Sequence, residues 1–238
     1  MSEQRSRRGR VRRAIRGYLR VVYEVARKDL LVESRSKQTL NAAVVFAALI
    51  VVVFSFVFGE VVGDREVLAR GALWLAVIFG GAVGMSHAVA LEGRNDAIAG
   101  LLLAPVDRSA IYLGKVVSSV VLVVGIGVLS LGFVVVFLDY SFEGGTLWTV
   151  MAVIVLAAIG FSAVGVLLSI LMLHSQLQES LLPVLLVPLV VPIVLAGTEL
   201  TRPGLPPGDE IAWFTILGSY DLLMLIAGWM TFEFVVEE

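Results

Sequence analysis

Long apolar runs alternate with short charged segments along this chain, and their length predicts helices rather than strands. A helix crossing hydrocarbon needs roughly 20 apolar residues at about 1.5 Å rise each. Runs of about that length cover Leu40–Gly59, Gly71–Leu91, Val116–Leu138, Leu147–Leu173, Leu181–Ala196 and Ile211–Val235. The first three have clean charged or polar flanks, and the fourth is long enough to tilt. The fifth is short and carries Pro183, Pro188 and Pro192, each of which removes a backbone donor and favours a kink. If that run were only re-entrant, five spans would remain and the C-terminus would change sides. The expected fold is an all-α integral membrane protein of about six transmembrane helices, occupying residues 40–238.

Ahead of the first run the pattern changes. Leu19, Val22, Val25, Ala26, Leu30 and Leu31 recur near helical spacing between charged residues, among them Arg27, Lys28, Asp29, Glu33 and Arg35. An interfacial helix lying along lipid headgroups has this pattern, and a solvated juxtamembrane helix is the plainer alternative. Residues 1–39 therefore read as a basic head with an amphipathic interfacial helix.

Composition agrees with a lipid solvent: 58% of residues are hydrophobic, 16% are charged, and the mean hydropathy is +0.94, against about half apolar and a quarter charged in soluble domains. The net charge of −2 conceals an asymmetry, since twelve of the 18 Lys and Arg precede Gln38. Basic residues beside a first span mark the cytoplasmic side and a membrane-lipid surface, and no nucleic-acid partner is expected. The loop holding Arg94, Arg108 and Lys115 then lies on that side too, with both termini cytoplasmic. The first run is long enough to span and no small-residue cleavage site follows it, so it is expected to stay in the membrane rather than act as a signal peptide. With no cysteine, disulfides, thiolate metal sites and cysteine nucleophiles are excluded.

The most informative loop runs from Glu92 through Arg94, Asn95, Asp96, Leu101, Leu102, Leu103 and Pro105 to Asp107 and Arg108. Asp107 or Ser109 is placed to cap the helix that follows. A short helix with apolar anchors and flanking charges suits docking into a groove on an ATPase subunit. A solvated connector is the plainer reading, although three consecutive leucines call for a partner or lipid to cover them. The chain lacks a phosphate loop, a His-Glu-x-x-His motif and a Gly-x-Ser-x-Gly elbow, so ATP hydrolysis and catalysis are expected elsewhere. No metal or cofactor is assigned; His87 and His174 read as interfacial polar residues, with heme ligation by either imidazole the alternative. Asp221 lies near the middle of the last run, where an acid costs about 2.5–3.5 kcal/mol to insert, and should face protein or water. Gly80-x-x-x-Gly84-x-x-x-Ala88 forms a small-residue stripe that suits helix contact within the subunit or between subunits.

Arg27-Lys28-Asp29-Leu30 with Glu33 and Arg35, Phe58-Gly59, Gly71-Ala72-Leu73-Trp74, Glu92, the run Gly100-Leu101-Leu102-Leu103-Ala104-Pro105-Val106-Asp107-Arg108, Ile111, Gly114-Lys115, Tyr220-Asp221, and Phe232-Glu233 through Glu237-Glu238 together resemble heme exporter protein B, the CcmB family. The resemblance covers nearly the whole chain beyond the basic head. It implies an ABC-2-type permease subunit in the inner membrane, acting in cytochrome c maturation. Implied partners are a CcmA-like ATPase that binds ATP, a CcmC-like heme-handling protein, a CcmD-like small membrane protein and the heme chaperone CcmE. Heme is the implied transported species, or the cargo of the chaperone that is released. His87 and Val89 stand where the family often has a basic residue and an aromatic, and the four tryptophans are scattered singly, so no heme-binding tract is carried over. An ABC-2 permease for lipid, drug or polysaccharide is the alternative, and a non-transporting scaffold for heme-handling proteins is a third reading.

Overall fold

A computed structural model describes residues 2–36, 38–59, 64–94, 107–140, 146–171 and 178–235. Among them are seven helices and no strand: α1 Ser2–Ser36, α2 Gln38–Val53, α3 Arg65–Arg94, α4 Arg108–Leu138, α5 Thr146–Leu171, α6 Gln178–Leu200 and α7 Pro207–Val235. Helices are the one open-ended element that satisfies its own backbone in lipid. Five stretches meet the length and hydropathy of a membrane span, within α2 and its extension, α3, α4, α5 and α7. A shorter apolar segment, Val184–Leu200, lies in α6.

Each helix end has a local cause. Asp64 accepts hydrogen bonds from the Glu66 and Val67 amides at 3.0 and 3.3 Å, capping α3. Asp139 closes α4 at φ 49°, a left-handed conformation that Asp tolerates better than most residues. The start of α7 carries Pro207, whose missing N–H costs nothing in a first turn, then Asp209 and Glu210 against the positive end of the helix dipole. α2 widens into a π-helical turn over Phe54–Phe58, from which the Ser55 hydroxyl donates to the Phe137 carbonyl of α4 at 2.7 Å.

α3 and α5 form the inside of the bundle, each span being 67% buried, while those of α2 and α7 are 17% buried and turn most of their surface outward. α3 sits among α2, α4 and α6, and α5 among α4, α6 and α7. Their shared core holds Trp74, Ile126, Ile154 and Phe161. The small-residue stripe is used within this chain: a Cβ added to Gly80 would meet Ala47 of α2 and Ile126 of α4 at 3.2 and 3.1 Å, and one added to Gly84 would meet Leu122 at 3.1 Å. Such close approach is what drives helix association where lipid supplies no hydrophobic force.

α6 remains helical through Pro188 and Pro192. Pro192 has no N–H for the Pro188 carbonyl four residues earlier, and one residue on, the Leu189 carbonyl accepts the Tyr220 hydroxyl of α7. At the C-terminus of α6, the Arg70 guanidinium of α3 donates to the Thr198 carbonyl at 3.1 Å. Beside it the buried Trp74 indole donates to the Thr201 hydroxyl at 3.1 Å. A cation on orphan carbonyls at a helix C-terminus complements the dipole.

The second half of α1 and the end of α7 both meet the start of α4. Val25 of α1 packs on Gly114 near the start of α4, and Phe232 of α7 packs on Tyr112.

Arg70→Ala should lower stability by about 1–3 kcal/mol, because the Thr198 carbonyl loses a charge-assisted partner. Glu66, 37% exposed and 3.6 Å from Arg70, contributes less, under about 1 kcal/mol. Thermal unfolding in detergent gives the ranking, and equal losses would remove the helix-end contact as the cause.

Candidate functional site

The site sits where α1 crosses the beginning of α4, just after the leucine-rich sequence 95–106. Asp107 is extended, at ψ 122°, and its carboxylate accepts the Ser109 amide at 3.1 Å and the Ser109 hydroxyl at 2.7 Å. That is an N-cap, and it fixes where α4 begins. The Ser109 hydroxyl also lies 3.0 Å from the Tyr18 hydroxyl of α1. One polar chain thus runs from the cap of α4 into α1.

One and a half turns further along α4, the two helices touch. A Cβ added to Gly114 would lie 2.7 Å from the Val25 Cβ and 3.0 Å from the Val22 carbonyl oxygen, so only glycine admits α1 this closely. Lys115, the next residue, is 7% exposed. Its ammonium lies 3.8 Å from the Asp29 carboxylate, which also holds Lys28 at 2.8 Å and faces the Ser118 hydroxyl at 3.4 Å. Tyr18, Val22, Val25 and Asp29 follow spacings of four, three and four, one face of a helix. At the far end of α1 the Glu33 carboxylate accepts the Leu40 amide of α2 at 3.0 Å.

On its other side the start of α4 enters a small core with α5 and α7. The Tyr112 ring is fully buried, its hydroxyl donating to the Ala163 carbonyl at 3.4 Å, its ring against Gly228 and 6.1 Å from that of Phe232. The segment following the loop therefore touches three helices at once. Among the described residues no group of three or more His, Asp or Glu is placed to hold a metal ion.

The family model described as CcmB protein matches residues 20–235. The chain belongs to the CcmB family. No curated protein matches it. As a member of the CcmB family it is a membrane permease component of the heme exporter of cytochrome c maturation, a multi-pass inner-membrane protein within a complex that includes an ATPase and other Ccm proteins.

The matched region of this CcmB-family chain contains Asp29, Gly114 and Lys115, whereas Tyr18 lies just before it. Of the loop residues singled out from the sequence, Asp107 and Arg108 are described, Asp107 as the cap. Glu92 and Arg94 belong to the last turn of α3, with side chains outside the described residues. Asn95, Asp96, Leu101, Leu102, Leu103 and Pro105 lie outside the described residues, as does His174, and His87 is described only as part of α3. In α1, Arg27 makes an exposed contact with Glu24 at 3.7 Å, and Arg35 is exposed. The chain pattern alone missed Tyr18 and Ser118 as contact residues and offered Ser109 only as an alternative cap. The available signal was a lysine two turns into an otherwise apolar helix, which requires an acid from somewhere.

Asp221 stands apart from this junction. It is 4% exposed, neither carboxylate oxygen has a hydrogen-bond partner, and the carboxyl packs directly on Gly160 of α5 with Ile193 of α6 alongside. Among the described residues of α5, α6 and α7 there is no Lys or Arg to face it. Gly160 is required because any side chain would occupy the space of the carboxyl.

Gly160→Ala should therefore destabilise the bundle by about 1–3 kcal/mol through overpacking. In an Asp221→Ala background the same change should cost clearly less, as expected of two groups in contact. A double-mutant cycle from thermal unfolding in detergent measures this, and additive losses would refute the contact.

Proposed function

We propose that this CcmB-family chain is the non-catalytic membrane subunit onto which the exporter's ATPase docks, through the loop from Glu92 to Arg108. Apolar anchors at Leu101, Leu102 and Leu103 enter a groove on the ATPase, with Arg94, Asn95, Asp96, Pro105 and Asp107 setting the shape and register of the loop. The observation that carries this reading is the fixed start of α4: a helix capped by Asp107 straight after the loop, and held on one side by α1 and on the other by α5 and α7. A displacement imposed on the loop reaches four helices through contacts that are packed or hydrogen-bonded.

With the basic head cytoplasmic, both termini and the loop face the compartment where ATP is available. The exposed Leu19 and Tyr23 of α1 beside its basic residues suit an interfacial position along the headgroups. ATP binds the partner subunit and this chain holds no cofactor of its own. Hydrolysis drives heme export or release of the heme-loaded chaperone CcmE, with CcmC-like and CcmD-like proteins as the other membrane partners.

Changing Leu101, Leu102 and Leu103 to Asp should abolish co-purification with the ATPase subunit while leaving the thermal unfolding of the chain unchanged. Unaltered association would move the docking surface elsewhere. Deleting the gene should eliminate c-type cytochromes, and normal cytochromes in the deletion strain would exclude the maturation role.

A further inference from the structure

We infer that α1 and the first turns of α4 move as one lever, and that Asp29 and Lys115 are the positioning residues that lock it and pass the loop's displacement to the first span. The inference rests on the docking role proposed for the loop, and adds the element that receives the motion and its route.

Three ties along one face of α1 join it to α4. Tyr18 meets Ser109 at 3.0 Å, Val22 and Val25 close on Gly114, and Asp29 meets Lys115 at 3.8 Å and Ser118 at 3.4 Å. The apolar contact alone would permit sliding, since ridges of similar side chains re-seat one helical turn away, about 5.4 Å along the axis. The ion pair does not permit it. The side chains of Lys115 and Asp29 are only 9% and 17% exposed; a one-turn slip brings Val25 to Lys115 in one direction, and in the other it brings Glu33 there only by drawing it off the Leu40 amide. Truncating or misplacing one partner of such a pair is far more costly than the pair is stabilising, which is why buried pairs act as register locks.

The lever has an input and an output. Its input is the Asp107 cap, joined to α1 through Ser109 and Tyr18. Its output is Glu33, whose carboxylate accepts the Leu40 amide of the span-forming helix. That amide belongs to the first turn of α2, where no intrahelical acceptor exists. A shift of α4 along its axis therefore carries α1 with it and pulls on the start of α2, without requiring α2 to touch the loop.

The chain has no cysteine, so engineered thiols report without background. In the full complex, a Tyr18→Cys, Ser109→Cys chain is treated with a short bifunctional thiol reagent, and c-type cytochrome formation is compared before and after cross-linking. The lever predicts efficient cross-linking and a cytochrome yield no lower after it than before, since the two helices never separate and the cross-link replaces the hydroxyl contact that the substitutions remove. Loss of yield on cross-linking would overturn it.

Charge reversal supplies the second arm. Asp29→Lys and Lys115→Asp singly should each reduce cytochrome yield about tenfold or more while the ATPase still co-purifies, and the exchanged pair should recover most of it. An exchanged pair no better than the worse single variant, or single variants with full yield, would overturn the lock. Should a reversal prevent membrane insertion, Asp29→Glu with Lys115→Arg preserves the pair and is expected to retain both yield and cross-link. Failure of the ATPase to co-purify with the unsubstituted chain would instead refute the docking reading, leaving the cross-linking result to stand by itself.

Discussion

Hydrocarbon offers no hydrogen-bonding partner, and most of this molecule follows from that single deprivation. Past their first turns the spans bond their amides within the helix, and helix ends are where the protein spends side chains: Asp64 and Asp107 on amides, Arg70 on a carbonyl. The same constraint explains Tyr220. A proline one turn along α6 deprives the backbone locally of a donor, and a tyrosine from the adjacent helix bonds the neighbouring carbonyl.

Because burial of apolar surface does not hold helices together in lipid, shape has to. The contacts are correspondingly tight: α2 and α4 on the glycines of α3, a carboxyl of α7 on Gly160, the Tyr112 ring on Gly228. α1 differs, and the difference is informative. It meets α4 through a close glycine contact together with hydroxyl groups and a largely buried charge pair, which holds register because parting it would leave a desolvated charge behind.

The spans were legible because apolar runs of membrane length have few alternative explanations, and the N-cap at Asp107 was legible because Asp before a helix has a local role. The continuity of α6 was less so. Its prolines forecast a break, yet an exposed Pro188 removes a bond on the lipid side without disturbing the buried face that carries Leu186, Val190 and Ile193. Pairings such as Asp29 with Lys115 were not legible, because helical periodicity tells which residues share a face and says nothing about which helix that face meets. The burial of Asp221 was foreseeable from its position, whereas its seat on Gly160 depends on the relative register of α5 and α7, which no local pattern specifies.

Gly197 lies so near the indole of Trp74 that an added methyl carbon would come within 2.6 Å of the ring. The two positions are therefore not independent units of change. A larger residue at 197 requires a smaller one at 74, but losing the indole first removes a donor to the Thr201 hydroxyl and opens a void, and enlarging 197 first displaces the ring. Each single step passes through a poorly packed intermediate, so lineages carrying this pair should be held to it by their history as much as by its merits.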